Sequence, residues 1–296
     1  MINRCIICGC EDYKIAYDKI RKDIMNNCLV ADTETSDDIK VIKCSNCGLL
    51  RLNTIIDDIE SFYEESGMWD YSMHSLDEIR HRWSQDNIRQ FNETKSIVDG
   101  KDVLDFGCGA GGYLSKIKDI AKTVQGVELE NNMRHSLNRG GIKCFRTLND
   151  SGKYDVITMF HVLAHIVQPI EILQECKNHL SQKGIIYIET PNANDALLSL
   201  YENQAFMGFT HHKDIIWYFS ENTIRELLNK AGFNNITIGY TQRYPLANHL
   251  YWLAKGKPGG QDKWVNMRDE MVDSAYSNLL IRNKMADTLT VTIEVS

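Results

Sequence analysis

Short apolar runs punctuated by glycine recur through the middle of this 296-residue chain. DVLDF (102–106), TVQGVEL (123–129), YDVITMF (154–160) and GIIYIET (184–190) each read as a strand. Between them, segments near 111–120, 131–139 and 168–181 carry helical patterning. Strands alternating with helices predict a parallel sheet covered on both faces, a doubly wound α/β architecture. Upstream, Leu76, Ile79, Trp83, Ile88, Phe91 and Ile97 recur at roughly helical spacing, predicting a helix over 75–98 that Asp99-Gly100 ends. Downstream, SENTIRELLNKAGF (220–233) has Ser220 as N-cap, Glu221 in the first turn and Gly232 as C-cap. NITIGYTQ (235–242) reads as a strand, and Leu289, Val291, Ile293 and Val295 alternate on one face of another. A helix is expected at 262–285 between these two strands, so the chain predicts a C-terminal antiparallel pair with an inserted cap.

The N-terminal stretch follows a different logic. KVIK (40–43) reads as a strand and TETSDD (33–38) as a loop, while Phe62, Tyr63, Trp69 and Tyr71 stand among acids in 55–73. The chain has nine cysteines, and four form two C-x-x-C pairs, Cys5/Cys8 and Cys44/Cys47, each followed by glycine, Gly9 and Gly48. An odd count argues against a disulfide framework. A C-x-x-C knuckle points both thiolates inward, and glycine supplies the positive φ that the next residue often needs. Two knuckles supply the four thiolates of a tetrahedral zinc site. Such a site has no open position, so a structural rather than catalytic zinc is expected, stabilising a segment too small to fold alone. Cys10 and Cys28 are spare, and Cys10 could replace a ligand.

Composition narrows the function classes. Apolar residues make up 43% and charged residues 25%, ordinary for a soluble globular chain. With 33 lysines and arginines against 40 acids, the formal net charge is −7, which argues against wholesale electrostatic binding of nucleic acid or an anionic membrane. The N-terminus lacks the apolar segment of a signal peptide, and no run approaches the ~20 residues of a membrane helix, so a cytoplasmic location is expected. A length of 296 residues suggests more than one unit at ~150 residues per domain. The expected division is a cysteine module at 1–60, a helical connector at 61–100, an α/β domain at 101–241 plus 286–296, and the cap at 242–285.

Candidate chemistry begins at VLDFGCGAGG (103–112), where a strand ends, glycines turn the chain and a helix opens. Such a turn lets backbone approach a ligand closely. Asp105 sits two residues before the first glycine, and Glu128 ends the next strand, where an acid can grip both hydroxyls of a ribose. A dinucleotide enzyme remains possible on the glycines alone. A phosphate-binding Walker loop is excluded, because no G-K-[ST] follows.

Taken in order, VLDFGCGAGGYL (103–114), GVELE (126–130), YDVITMFHVLAHI (154–166) and LSQKGIIYIETPN (180–192) make the chain resemble the class I S-adenosylmethionine-dependent methyltransferases over roughly residues 75–240. The resemblance implies a Rossmann-like, mostly parallel sheet with a C-terminal antiparallel hairpin, preceded by a zinc-ribbon-like module. It implies a cofactor site of Asp105, Gly107, Cys108, Gly109, Gly111, Glu128, Leu129, Phe160 and His161. In it the glycines pass under the methionine part, Glu128 holds the ribose, and Phe160 and His161 lie near the sulfonium. Cys108 and Cys144 read as small packing residues, not nucleophiles. With the knuckles in front, the chain looks like the methyltransferases of sugar and surface-polysaccharide pathways, with QRYPLANHLYWLAKGKPGG (242–260) like a subgroup signature.

The sulfonium is already an activated electrophile, so positioning and a general base remain for the protein to supply. His161 and His165 lie four apart and would share a face if their segment were helical. His211 and His212 are further candidates, although sugar methyltransferases often carry this His nearer the position of Ile215. Sequences of the resembled family often read H-V-L-E-H where this chain has Ala164, so activity is expected to differ here if that Glu serves metal or substrate binding. Arg243, Tyr244, Asn248 and His249, with Tyr251 and Trp252, suit either a sugar or nucleotide diphosphate or a partly buried surface segment. Tyr71, His74, Arg82 and Trp83 could close over the cofactor or be core. The expected activity is methyl transfer to a small, sugar-linked acceptor, on oxygen rather than carbon. An RNA or protein acceptor recognised through the cysteine module, or cofactor binding without turnover, are the alternatives. Neither a nucleic-acid partner nor a membrane span is expected, and the sequence does not indicate an oligomeric state.

Overall fold

Hydrophobic alternation builds two sheets here, one large and one small. In chain order, β1 (Tyr13–Tyr17), β2 (Val41–Cys44) and β3 (Leu50–Leu52) precede α1 (Ile59–Glu64), α2 (Leu76–Arg82) and α3 (Ser84–Val98). The alternating region follows, with β4 (Asp102–Phe106), α4 (Gly112–Ile117), β5 (Thr123–Val127), α5 (Asn131–Arg139) and β6 (Lys143–Phe145). It continues through β7 (Tyr154–Phe160), α6 (Pro169–Asn178) and β8 (Leu180–Pro191). Then come α7 (Ala196–Ser199), α8 (Gln204–Thr210), β9 (Trp217–Tyr218), α9 (Glu221–Lys230) and β10 (Ile236–Thr241). The cap holds α10 (Leu246–Lys255), α11 (Gly260–Lys263) and α12 (Glu270–Arg282), and β11 (Thr288–Glu294) closes the chain. This computed structural model describes residues 4–17, 40–55, 58–65, 75–148, 152–211 and 214–295.

The large sheet has seven strands in the order β10-β11-β8-β7-β4-β5-β6. The run from β8 to β6 is parallel, and β11 is antiparallel to both β8 and β10. The expected mostly parallel sheet with a C-terminal hairpin is therefore present. Strand period two sends Leu104, Ile157 and Ile186 into one apolar cluster with Leu173 and Cys176 of α6 and Ile224 and Leu227 of α9. Val103 and Val156 face the other way, onto Val98, Leu114 and Ile117. Crossovers leave in opposite directions from β4 and β7, so a crevice opens at their C-terminal ends, where ligands of open α/β sheets bind.

The small sheet runs β1-β2-β3-β9. Its fourth strand comes from far along the chain, with Leu50 opposite Tyr218 and Arg51 opposite Trp217. Buried Val41, Leu52 and Tyr218 form its own apolar cluster.

Several boundaries differ from the sequence reading. The helix expected over 75–98 breaks at Trp83 (ψ 8°) into α2 and α3. Ser75 and Glu78 form a capping box at the start of α2. The strand expected to run to 129 stops at Val127, although the Glu128 amide still donates to the Phe145 carbonyl of β6 at 3.0 Å. The helix expected to reach 181 stops at Asn178, because Leu180 already begins β8. The cap helix divides into α11, a 3₁₀ turn at Val265–Met267, and α12, whose first turn Asp269 caps. The loop expected at 33–38 lies outside the described residues. Among the described residues no helix is long and apolar enough to cross a membrane.

Candidate functional site

At the end of β4 the chain doubles back over β5. The amides of Gly107 and Cys108 both donate to the Val127 carbonyl, at 2.8 and 3.1 Å. Gly107 (φ +73°) and Gly111 (φ +75°) are left-handed, and a Cβ at either would meet Val162 at 2.4 Å or Leu137 at 2.3 Å. Both conformation and space therefore demand glycine there. Glu128 follows β5 and clamps the loop: its Oε2 accepts from the Gly109 amide at 2.7 Å and its Oε1 from the Glu130 amide at 2.9 Å. Burial pushes its pKa upward. The carbonyls of Glu128 and Leu129 accept from Arg134, at 2.8 and 2.7 Å.

Asp105 is buried and accepts from the Thr158 hydroxyl at 2.7 Å. Burial, which outweighs the Thr158 bond, pushes its pKa up to about 7. Its carboxyl thus braces β4 against β7 beneath the loop. Cys108 packs on Cys144 with the sulfurs 3.7 Å apart, as expected of packing residues.

At the end of β7, Phe160 meets Tyr113 edge-on with centroids 4.6 Å apart. The next residue, His161, is left-handed at φ +57°, a strained conformation for a residue with a Cβ. Its amide donates to the Glu189 carbonyl at 2.8 Å. Its Nε2 lies 3.7 Å from Glu189 Oε2 and is buried without a hydrogen-bond partner among the described residues. Burial, reinforced by Arg243 and Arg89 and opposed by Asp86, holds the imidazole well below its ordinary pKa, so it is neutral near pH 7. His165 ends a 3₁₀ turn, Leu163–His165, and its Nδ1 lies 2.7 Å from Tyr63 Oη and 3.3 Å from Asp214 Oδ2. The two histidines do not share a helix face as expected, because the left-handed residue turns the chain before the short helix begins. Ala164 is fully buried, and its carbonyl accepts from the Ile216 amide at 2.9 Å.

A charged cluster absent from the sequence reading stands beside His161. Arg89 donates to both oxygens of the wholly buried Glu189, at 2.8 and 2.7 Å, and to Glu93 at 3.0 Å. Arg243 forks onto Asp86 at 3.0 and 2.6 Å, while the Arg243 amide donates to Asp287 at 2.9 Å. Burial alone would raise the pKa of Asp86, but Arg243 and Arg89 outweigh it and hold the acid at about 2. The helix pattern carried a signal for this cluster: Asp86, Arg89, Gln90 and Glu93 recur at helical spacing on one face of α3. That face turns inward. Gln90 and Thr94 are buried, whereas Ile88, read as an inward position, is 47% exposed.

The remaining candidates disperse. Arg243 belongs to the charged cluster, and Tyr244 beside it is half exposed. Asn248 and His249 are buried inside the cap instead, because α10 turns them onto Gln261 (2.5 Å) and the Tyr276 hydroxyl of α12 (2.7 Å). His211, at the C-terminal end of α8, stacks on Tyr17 at 4.8 Å and meets Tyr218 edge-on, so it packs against the small sheet. His212, Tyr71 and His74 lie outside the described residues, and Arg82 and Trp83 are exposed.

The sulfurs of Cys5, Cys8, Cys44 and Cys47 all lie within 4.8 Å of one another, the nearest pairs at 3.5 Å. A tetrahedral zinc site with ~2.3 Å arms has edges of about 3.8 Å, so the four thiols fit such an ion. Gly9 and Gly48 both have positive φ, as the knuckle pattern requires. The Cys10 sulfur instead accepts from the Asp12 amide at 3.4 Å.

A seven-stranded sheet of this order, a glycine loop after its central strand and an acid after the next define a class I S-adenosylmethionine-dependent methyltransferase. A family model described as a methyltransferase domain matches residues 76–238, more than half of the chain. The chain belongs to that family. Among curated relatives, a "Ubiquinone biosynthesis O-methyltransferase" of Paraburkholderia phytofirmans is 28% identical over 134 residues, 41% of this chain and 54% of that one. Another of that name from Burkholderia pseudomallei is 24% identical over 196 residues, 60% of this chain and 80% of that one. The chain thus spans about half the length of the first of these. A chain from the Haloferax volcanii complex of the Trm112 methyltransferase activator with a methyltransferase superposes at TM-score 0.50 and 14% identity, over 82% of this chain and 99% of that one. A SAM-dependent methyltransferase from Archaeoglobus fulgidus gives 0.48 and 18%, over 80% and 100%.

Proposed function

We propose that this enzyme transfers the methyl group of S-adenosylmethionine to a hydroxyl of a polar, sugar-linked small molecule. The observation that carries this reading is the orphaned, neutral His161 nitrogen, buried 3.7 Å from Glu189 and next in the chain to Val162, which crowds Gly107 of the glycine loop. S-adenosylmethionine, when bound, supplies a methyl group activated by positively charged sulfur. Gly107, Gly109 and Gly111 would accommodate it closely, Cys108 and Leu129 would flank it, and Glu128 would exchange its amide partners for the ribose hydroxyls. Phe160 would pack nearby, with Asp105 bracing the loop from below.

On the acceptor side, His161 would take the proton of the attacking hydroxyl, the cofactor supplying the activated methyl group. The imidazolium so formed sits beside Glu189, whose charge favours it. Arg89, Arg243, Asp86 and Glu189 supply fixed donors and acceptors, which suit a polyol better than an apolar ring. Tyr244 would extend this surface. Asn248 and His249 would act only through the cap, and His165 by position rather than contact. The four knuckle thiolates would hold one structural zinc.

A second acceptor reading has support in the names of the relatives, a phenolic hydroxyl of a ubiquinone precursor. Both start from calorimetric titration with S-adenosylhomocysteine, where micromolar binding is expected, and with NAD, where none is. Acceptor panels of nucleotide-linked sugars and of ubiquinone-type phenols then follow by mass spectrometry. A gain of one methyl on a sugar supports the first reading, and a gain on a phenol alone replaces it. His161→Gln should lower turnover roughly 100-fold or more while leaving cofactor affinity within about twofold. Unchanged turnover would remove His161 from the chemistry.

A further inference from the structure

His165 is held by two segments that reach it from opposite parts of the chain. Its Nδ1 lies 2.7 Å from the Tyr63 hydroxyl and 2.9 Å from the Asp214 carbonyl. A carbonyl oxygen can only accept, so Nδ1 carries the proton and Nε2 keeps the lone pair. The Tyr63 hydroxyl donates onward to Asp214 Oδ2 at 3.4 Å. Tyr63 belongs to α1, which the Asn131 side chain and Arg146 tie to the start of α5 and the end of β6. Asn131 donates to the Glu64 carbonyl at 3.1 Å, and Arg146 forks onto the Glu64 carboxylate at 3.0 Å.

The same loop is pinned from the other side. The Ile216 amide donates to the Ala164 carbonyl at 2.9 Å, and the indole of fully buried Trp217 donates to the Ile166 carbonyl at 2.8 Å. Both residues lie on the path from Asp214 into β9. There the Leu52 amide donates to the Ile216 carbonyl at 3.0 Å, and β3 pairs with β9. β3 begins three residues after Cys47, and the Cys44 amide donates to the Leu49 carbonyl at 2.9 Å. Lys230 of α9 ties the first knuckle to the core through the Ile6 and Ile7 carbonyls, at 2.7 and 3.1 Å.

We infer that Asp214, through its carbonyl, is the positioning residue that sets the tautomer of His165, that Tyr63 as a second acceptor orients the ring, and that the cysteine module holds Asp214 in place through the β3–β9 pairing. This deepens the methyl-transfer reading, since His165 lies in the loop that follows His161. It assigns the knuckle metal a task in the cleft beyond folding its own segment.

The test is the ring-nitrogen spectrum of His165 in the full ¹⁵N-labelled chain, assigned by its loss in His165→Gln. With zinc bound, an Nδ1–H tautomer is expected. Stripping the metal with a chelator should shift His165 toward the Nε2–H form, whereas Tyr63→Phe with zinc retained should keep the Nδ1–H form and move the Nδ1 resonance. Each should also weaken S-adenosylhomocysteine about fivefold, the equivalent of one hydrogen bond. Adding zinc back should restore the stripped wild type and leave Tyr63→Phe unchanged. Should the stripped chain unfold, Trp217→Phe with zinc bound removes the Ile166 bond while keeping an aromatic ring at this buried position, and a partial shift is expected. An Nδ1 resonance indifferent to Tyr63→Phe overturns the orienting role of Tyr63, and a switch to Nε2–H in that variant overturns the assignment of the tautomer to the Asp214 carbonyl. A tautomer indifferent to metal removal in a folded chain, or to Trp217→Phe, overturns the coupling. Failure of the wild type to bind S-adenosylhomocysteine would instead count against the methyl-transfer reading.

Discussion

The two sides of the cleft are built by different means. The glycine-loop side draws on residues 105–129 and holds its shape with backbone amides, positive φ angles and one clamping acid. The side around Glu189 draws on α3, β8, the residue after β7, the start of the cap and the residue before β11, and holds its shape with buried charges. A backbone-built site tolerates little change of geometry but costs little electrostatically. A charge-built site depends on every partner being present, because a buried ion left unpaired is expensive. On the proposed reading the first would receive the cofactor and the second the acceptor.

The largest effect should come from Arg89→Ala, which strands Glu189 in the interior. A loss of about 3–5 kcal/mol is expected, roughly a 10 °C drop in melting temperature. Calorimetric melting of this variant against Arg89→Ala/Glu189→Ala, which should recover part of the loss, measures the pair. A small loss in the single variant would mean that the charged side is no more demanding than the loop.

Next comes the pH dependence from Asp105, which sits between the two sides. Its pKa is raised by burial to about 7 in the folded chain, above the ordinary value of 3.8. The folded state therefore keeps a proton that the unfolded chain releases. Stability should fall as pH rises from about 4 to about 7, by an amount on the order of a few kcal/mol. Urea midpoints across that range should show the slope in wild type and a flatter profile in Asp105→Asn.

Glu128→Ala should then weaken S-adenosylhomocysteine by about 10–100-fold, the equivalent of ~1.5–3 kcal/mol for hydrogen bonds to a charged group. Calorimetry checks this, and an unchanged affinity would take the ribose role from Glu128. Smallest should be Tyr244→Phe, because the side chain is half exposed. Stability should stay within about 0.5 kcal/mol, and any change should appear in the acceptor KM and not in cofactor affinity.

The same contrast explains what could be read from the chain. VLDFGCGAGG and GVELE were legible because the loop and its acid lie within one β-α-β unit. The knuckles were legible because metal ligation needs fixed spacings. Arg89 and Glu189 were not, because 100 residues separate them and neither residue type at its position signals the other. Ile88 misled for a related reason. Helical periodicity locates a face but not which face turns inward, and here the polar one does.

By itself the sequence determined the strand–helix alternation, the glycine turn with its acid and the paired cysteines, since each follows from local sterics or short-range spacing. The tertiary structure alone decided that β9 completes the cysteine module's sheet, that His161 faces Glu189 and that Tyr63 meets His165. Those contacts join residues far apart in the chain, and only packing two sheets around one crevice brings them within hydrogen-bond or ion-pair range.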